Sequence, residues 1–211
     1  MVPRNHALKR QIKLAVEVLK KGGLVAYPTD TVYGLGADPL NEKAVSRIYQ
    51  VKNRPRNLPL PLLLADKSDL LKVALIVPEI AWQLIEQFWP GGLTLVVKKN
   101  VWVPANITAG GDTVAVRIPD HPVTIALIRD LGNPIVGTSA NLSGKPSPVT
   151  AEEVSKQLGN KVDLIVDGGR CPGGIESTVV DVSTAFPTIV REGAIPREDI
   201  TKVCGHLLTK N

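Results

Sequence analysis

The chain has 211 residues, 44% hydrophobic and 21% charged, values near the globular average that exclude a disordered polyelectrolyte and allow a sizeable core. Its 25 basic against 20 acidic residues leave a formal charge of +5, which suits nucleotide, tRNA or anionic lipid without choosing among them. No apolar run nears the ~20 residues that span a bilayer, the start MVPRNHALKR has no signal-peptide h-region, and Cys171 and Cys204 show neither metal spacing nor a disulfide framework, so a cytoplasmic protein without membrane association is expected.

Leu8, Ile12, Ala15, Val16 and Leu19 recur at helical spacing with Lys9, Arg10, Lys13, Glu17 and Lys20 on the other face. That predicts an amphipathic helix over about 5–21, ended by Gly22 and Gly23. Leu24 to Tyr27 reads as a short buried strand stopped by Pro28 and followed by a polar loop, PTDTVYGLGA. Asn41 is placed to cap a second helix that carries Ala44, Val45 and Ile48 inward and delivers Lys52 at its end. A strand near Pro61 to Ala65, a helix from about Pro78 to Phe88 and a strand from Leu93 to Lys98 continue the alternation. In TVAVRIP, Thr113, Ala115 and Arg117 share one strand face. Asp120 is expected to cap a helix to about Leu131, and Ile135 to Thr138 forms a strand running into Ser139. Thr150 and Glu153 have capping-box spacing for a helix ended by Gly159, and strands near Leu164, Val179 and Ile189 close the chain. The glycine-punctuated run DGGRCPGG, from Asp167 to Gly174, is the best candidate for a mobile loop, although a static turn is the commoner outcome for such a run. Strands alternating with helices, then strand-rich sequence, predict an α/β or α+β domain with a mixed sheet.

Neither a Walker-type phosphate loop nor a dinucleotide-binding glycine motif is present. His6, His121 and His206 are scattered without metal spacing. Lys52 and Arg54, in KNRPRNLPL, set two cations beside Pro55, which disfavours the α region at Arg54; an extended segment with both side chains on one side would suit an anion, while the alternative is a solvated helix end. Arg117 interrupts an apolar strand, so it either pairs with a buried carboxylate or recognises a substrate carboxylate or phosphate. Ser139 and Asn141, in TSANLSG, stand at the carboxyl end of a buried strand, a common ligand position, although Ser, Asn and Gly also favour turns for local reasons. Thr29, Asp30 and Thr31 occupy the same kind of position, and Glu176, Ser177, Thr178 and Arg191 lie at other strand ends.

Taken in order, PTDTVYGLGA, KNRP with PL shortly after, FWPGGLTLV, VAVRIPDHP, TSANLSG, GIESTVVD and VREGAI resemble the YrdC/Sua5 family of threonylcarbamoyl-AMP synthases, over about residues 10–200. The resemblance implies one YrdC-like domain over 1–211 in the shorter form of the family, with a twisted mixed parallel and antiparallel sheet flanked by helices around a large cavity. It implies ATP, L-threonine and bicarbonate as substrates, Mg2+ accompanying the ATP with no direct protein ligand, and a product passed to a separate transferase that modifies adenosine 37 of tRNA. By matching motif it implies that Lys52 and Arg54 serve catalysis and, with Leu58, Thr113, Ser139, Asn141, Ser147 and Arg191, hold ATP. Thr31, Arg117, Gly137 and Ser177 would hold threonine, Arg117 taking its carboxylate and Gly137 contributing backbone. Two positions depart from many relatives: Leu58 stands where they carry Asn or Lys, implying a backbone amide only, and Leu63 where they often carry His, implying packing only. Rival readings are an RNA-binding module without catalysis, which low aromatic content disfavours, and a carbamoyl-phosphate-handling domain like that of hydrogenase-maturation proteins. Weak tRNA binding is compatible with the charge.

Overall fold

The computed structural model describes residues 3–205 and 208–209; His206 lies outside them. Helix α1 (Pro3–Lys20) leads into strands β1 (Val25–Tyr27) and β2 (Gly34–Gly36) and helix α2 (Glu42–Lys52). Strand β3 (Leu62–Leu63), the short helix α3 (Leu70–Val73), strand β4 (Ala74–Ile76) and helix α4 (Glu79–Phe88) follow. Strands β5 (Leu93–Lys99) and β6 (Thr113–Arg117), helix α5 (Pro122–Leu131) and strands β7 (Ile135–Val136) and β8 (Thr138–Ser139) form the middle of the chain. Helix α6 (Ala151–Leu158), strands β9 (Leu164–Ile165), β10 (Thr178–Asp181) and β11 (Thr188–Arg191), helix α7 (Arg197–Cys204) and strand β12 (Leu208–Thr209) complete it.

The mixed α/β class agrees with the sequence reading, and the strands divide between two sheets. A small sheet runs β8-β2-β1-β9 and a large one β12-β11-β10-β5-β6-β3-β7, with β4 on one end of β5. Both are mixed: β1 pairs antiparallel with β2 but parallel with β9, and β5 pairs parallel with β10 but antiparallel with β6. The inward faces of α1 and α5 meet over β1 through Ile12, Val16, Leu19, Leu127 and Ile128, a satellite of the main core. The main core joins α2, α4 and α6 to the large sheet through residues such as Ile48, Leu84, Val154, Leu95 and Val116. Among the described residues no helix is long and apolar enough to cross a membrane.

Several expectations are corrected. Strand β2 lies inside the run read as a polar loop: Gly34 and Gly36 leave room for the Tyr27 ring, since a Cβ at either would fall 2.6 or 2.7 Å from its atoms. Helix α5 is capped by His121 rather than Asp120, its Nδ1 accepting from Val123 N at 3.3 Å. Half of the expected capping box at α6 forms, with Thr150 accepting from Glu153 N at 3.2 Å. The Glu153 carboxylate turns to Val149 N at 2.7 Å, one residue earlier than the box requires. The run 167–174, by contrast, fits the static turn already weighed against a mobile loop: Cys171 N donates to Val149 O, Gly173 N to Asp30 O and Gly174 N to Thr31 O, at 2.8, 3.1 and 2.8 Å.

Candidate functional site

A cavity of about 730 Å³ opens between the two sheets. Its floor is one face of the large sheet, where alternation brings Thr94 and Val96 of β5 and Ala115 and Arg117 of β6 to the same side. The small sheet contributes Gly34 and Ser139, and the strand ends carry Ser177 and Arg191. Of the residues that the resemblance assigned to ATP or threonine, all but Thr113 and Ser147 line this cavity, and of the other strand-end candidates Thr29 and Glu176 line it while Asp30 and Thr178 do not. Thr113 shares the Arg117 face but sits at the far end of β6, opposite Lys98. Ser147 reaches the site indirectly, donating to Glu176 Oε1 at 2.6 Å.

Lys52 and Arg54 do not share an extended segment. Helix α2 continues through Lys52 and stops because Asn53 takes the left-handed conformation, φ 51°. Only Arg54, the residue restricted by Pro55, leaves the helix. Lys52 is 1% exposed, and its Nζ donates to Ser139 O, to Asn141 O at 2.8 Å and to Asn141 Oδ1 at 2.9 Å. An ammonium has three N–H donors, so all of them are spent on the 139–141 turn. Ser139 Oγ also donates to Asn141 Oδ1 at 2.7 Å, and Asn141 Nδ2 donates to Lys145 O at 2.5 Å. Burial and the neighbouring Arg54 pull the Lys52 ammonium down to about 8, against the support of Glu176.

Arg54 is held at the rim, donating to Pro59 O at 2.9 Å and, more weakly, to Leu58 O at 3.4 Å. The Leu58 amide expected to face a ligand is committed to Pro55 O at 3.2 Å. Its carbonyl also accepts from Tyr49 at 3.0 Å, so Leu58 organises the rim while its side chain is 42% exposed.

At the other end, Arg117 resolves the choice left by the sequence: it has a buried carboxylate partner and also faces the cavity. Its Nη2 bonds Asp30 Oδ1 at 2.6 Å, Nη1 bonds Thr31 Oγ1 at 2.9 Å and Nε bonds Gly91 O at 2.7 Å. Burial pulls its pKa below the ordinary arginine value while Asp30 opposes the shift, and an arginine so placed keeps its charge. Three of five N–H donors are thereby used, leaving two without a partner among the described residues. Thr29 closes the turn, its hydroxyl accepting from Thr31 N and Val32 N at 3.1 and 3.2 Å. Asp30 also accepts from Asp120 N at 3.0 Å, fixing the carboxylate behind Arg117.

Between these ends lie Ser177, whose hydroxyl is 2.7 Å from that of Thr94, and Arg191, which donates to Ser177 O and pairs with the Glu176 carboxylate. Burial pushes the Glu176 carboxyl up, but Ser147, Arg191, Ser139 and Lys52 together hold it below the usual carboxylate range. Sequence reasoning noted Glu176 only as a polar strand-end residue and missed Thr94, Tyr33 and Lys145, all of which line the cavity. The alternation of β5 was the available signal for Thr94. Cys171 is buried and its thiol is pushed up to about 11 by that burial, which disfavours a thiolate nucleophile.

Gly137 and Leu63 are coupled by packing. Gly137 N donates to Pro61 O at 2.9 Å, and a Cβ there would fall 2.3 Å from Leu63 Cγ. Leu63 thus packs over the glycine, as expected. Gly137→Ala is expected to destabilise the fold by about 1–3 kcal/mol through overpacking. In denaturant titrations the cost of Gly137→Ala should largely vanish when it is measured in a Leu63→Ala background, which already lacks the clashing side chain.

The family model described as "Telomere recombination" for Sua5, YciO and YrdC proteins matches residues 17–193. A curated Threonylcarbamoyl-AMP synthase of Pyrococcus abyssi is 46% identical over 93% of this chain and 58% of its own length. One from Bacillus subtilis is 47% identical over 92% of this chain and 57% of its own. The chain therefore spans a little over half the length of these relatives. A crystal structure of P. abyssi Sua5 complexed with L-threonine superposes with a TM-score of 0.92 at 45% identity, covering 94% of this chain and 58% of that one. A matching profile over most of the chain, relatives near half identity and the same backbone arrangement agree with the ordered motifs: the chain belongs to the Sua5/YciO/YrdC family.

Proposed function

We propose that this protein is a threonylcarbamoyl-AMP synthase, a nucleotidyltransferase that converts L-threonine, bicarbonate and ATP into threonylcarbamoyl-AMP and pyrophosphate. The observation that carries the reading is a single cavity with two unlike anion ends. Arg117, with two N–H groups to spare, matches a single carboxylate, while Arg54, Lys145 and Arg191 also line the cavity and offer the several cationic donors that a polyphosphate takes. The names of the P. abyssi and B. subtilis relatives, and threonine bound to the former, support the same reading.

In this account Arg117 takes the threonine carboxylate, and Thr31, Ser177 and the Gly137 backbone frame the rest of the amino acid. The Ser139–Asn141 turn, clasped by Lys52, bounds the nucleotide, and Arg54 and Arg191 face its phosphates. Thr113 is given no role in this reading because it is not among the residues lining the cavity, and Ser147 acts through Glu176. The threonine amine, once neutral, attacks the bicarbonate carbon and water leaves, giving a carbamate. A carbamate oxygen then attacks the α-phosphorus, the bond to the pyrophosphate oxygen breaks, and the leaving group carries off the electron pair. The protein contributes positioning and fixed charge. Both oxygens of Glu176, the carboxylate lining the cavity, are already engaged by Ser147 and Arg191, which does not suit a resident cation. Mg2+ is therefore read as arriving with the nucleotide, and no step is assigned to it. The adenylate would then pass to a separate tRNA transferase.

The test is pyrophosphate release by the purified protein with each substrate omitted in turn. Release that requires threonine and bicarbonate together is the expected result. Release that ignores threonine would reject the assignment.

A further inference from the structure

A carboxylate is an unexpected wall for a polyphosphate pocket, and Glu176 is the one acidic side chain lining this cavity among the described residues. Its backbone cannot move aside easily. Glu176 O accepts from Ala194 N at 2.8 Å, and the chain at Gly193 passes so close that a Cβ there would fall 2.3 Å from that oxygen. The side chain faces Lys52, Arg54 and Arg191, with one oxygen paired to Arg191 and the other accepting from Ser147 at 2.6 Å. A guanidinium and a hydroxyl are the donors that a phosphate would use. In the free protein this carboxylate therefore fills the donors that a substrate phosphate would need.

We propose that Glu176 is a specificity-determining residue that stands in for a phosphate between Arg191 and Ser147 and weakens the hold of the site on pyrophosphate, so that this product leaves. The inference rests on the reading of the cavity as a nucleotide site. A phosphate arriving at these donors either displaces the carboxylate or lies beside it, and both cost binding energy because like charges repel at such range. The surrounding groups keep Glu176 ionised, so the repulsion operates at neutral pH. A role limited to positioning Arg191 predicts the opposite sign, since loss of the carboxylate would then loosen the arginine and weaken anion binding.

The experiment is calorimetric titration of inorganic pyrophosphate into the wild-type protein, Glu176→Gln and Glu176→Ser, with circular dichroism to verify folding. Glutamine keeps the shape and removes the charge. Serine removes charge and bulk, and guards against a Gln-specific hydrogen bond. The expected result is pyrophosphate affinity raised about tenfold in both variants, with steady-state turnover reduced more than the first turnover. Unchanged or weaker pyrophosphate binding in folded variants overturns this inference alone. Absence of pyrophosphate binding in all three folded proteins overturns the nucleotide-site reading, and the inference falls with it.

Discussion

Arg117→Ala is expected to abolish threonine-dependent turnover and to destabilise the protein by about 3–5 kcal/mol, the usual consequence of stripping one partner from a buried ion pair. Asp30 would be left behind with its side chain only 16% exposed, and Thr31 and Gly91 would lose their guanidinium donors. Stability loss alone would not distinguish substrate binding from architecture. The double variant Asp30→Asn/Arg117→Met does so, because it removes both charges and is expected to regain much of the lost stability in urea titrations. Threonine binding should stay absent in that double variant. Recovery of threonine binding together with stability would show that Arg117 serves the fold and not the ligand. Arg117→Lys keeps the charge but loses the planar fork, so it should weaken threonine binding while leaving pyrophosphate binding close to wild type.

Lys52→Met is expected to separate activity from stability in the other direction. The variant removes a buried cation whose charge is unfavourable there, so its global stability should lie within about 2 kcal/mol of wild type despite the acceptors left without donors. The 139–145 turn, however, loses its clasp. Nucleotide binding and turnover should fall roughly 10²–10³-fold, the range seen when a preorganised polar site is disrupted, and backbone hydrogen exchange should rise across that turn. A fall in stability with normal exchange in the turn would contradict the clasp. The same residue carries a pH signature. Its folded pKa, about 8, lies below the 10.5 of an unperturbed lysine, so between those values the unfolded chain holds the proton that the folded one has released. Global stability from this group therefore rises as pH climbs from about 8 toward 10.5, and its cost is fully present below 8. Pyrophosphate affinity should move the other way, falling above pH 8 as the ammonium that holds Ser139 and Asn141 is lost. Arg54 and Glu176, the charged groups that shift Lys52, are arginine and a low-pKa carboxylate and do not titrate in that window.

The parts legible in the sequence were those where one physical signal dominates. A lone arginine on the apolar strand Thr113–Arg117 announced a buried charge that needed partners. Strand β7 was found because Ile135 and Val136 read as buried β-branched chain, but the single strand expected to run on through Thr138 into Ser139 breaks at Gly137, and Thr138–Ser139 pairs in the small sheet as β8. Strand β2 was not legible because its glycines look like loop; they are there to admit a tyrosine from the neighbouring strand, a tertiary cause. Helix α7 was missed because one buried residue, Ile200, anchors it, too little for a helical period to register. The Lys52/Arg54 geometry failed at the residue between them. The proline rule acted on Arg54 as expected, but the left-handed Asn53 kept Lys52 inside the helix and aimed it under the Ser139 turn. Glu176 escaped because its meaning lies in what surrounds it: Arg191 is fifteen residues away in sequence, and Ser147 twenty-nine.

The proposed reaction requires an amino acid and a nucleotide to meet in this one cavity and form a mixed anhydride through bicarbonate. The decisive experiment incubates the protein with carbon-labelled bicarbonate, L-threonine and ATP and separates the nucleotides at once. The expected product is a labelled adenylate that also carries label supplied as threonine, and whose yield falls in Arg117→Lys and in Lys52→Met. A labelled adenylate formed without threonine, or no labelled adenylate from the folded wild-type protein, would contradict it.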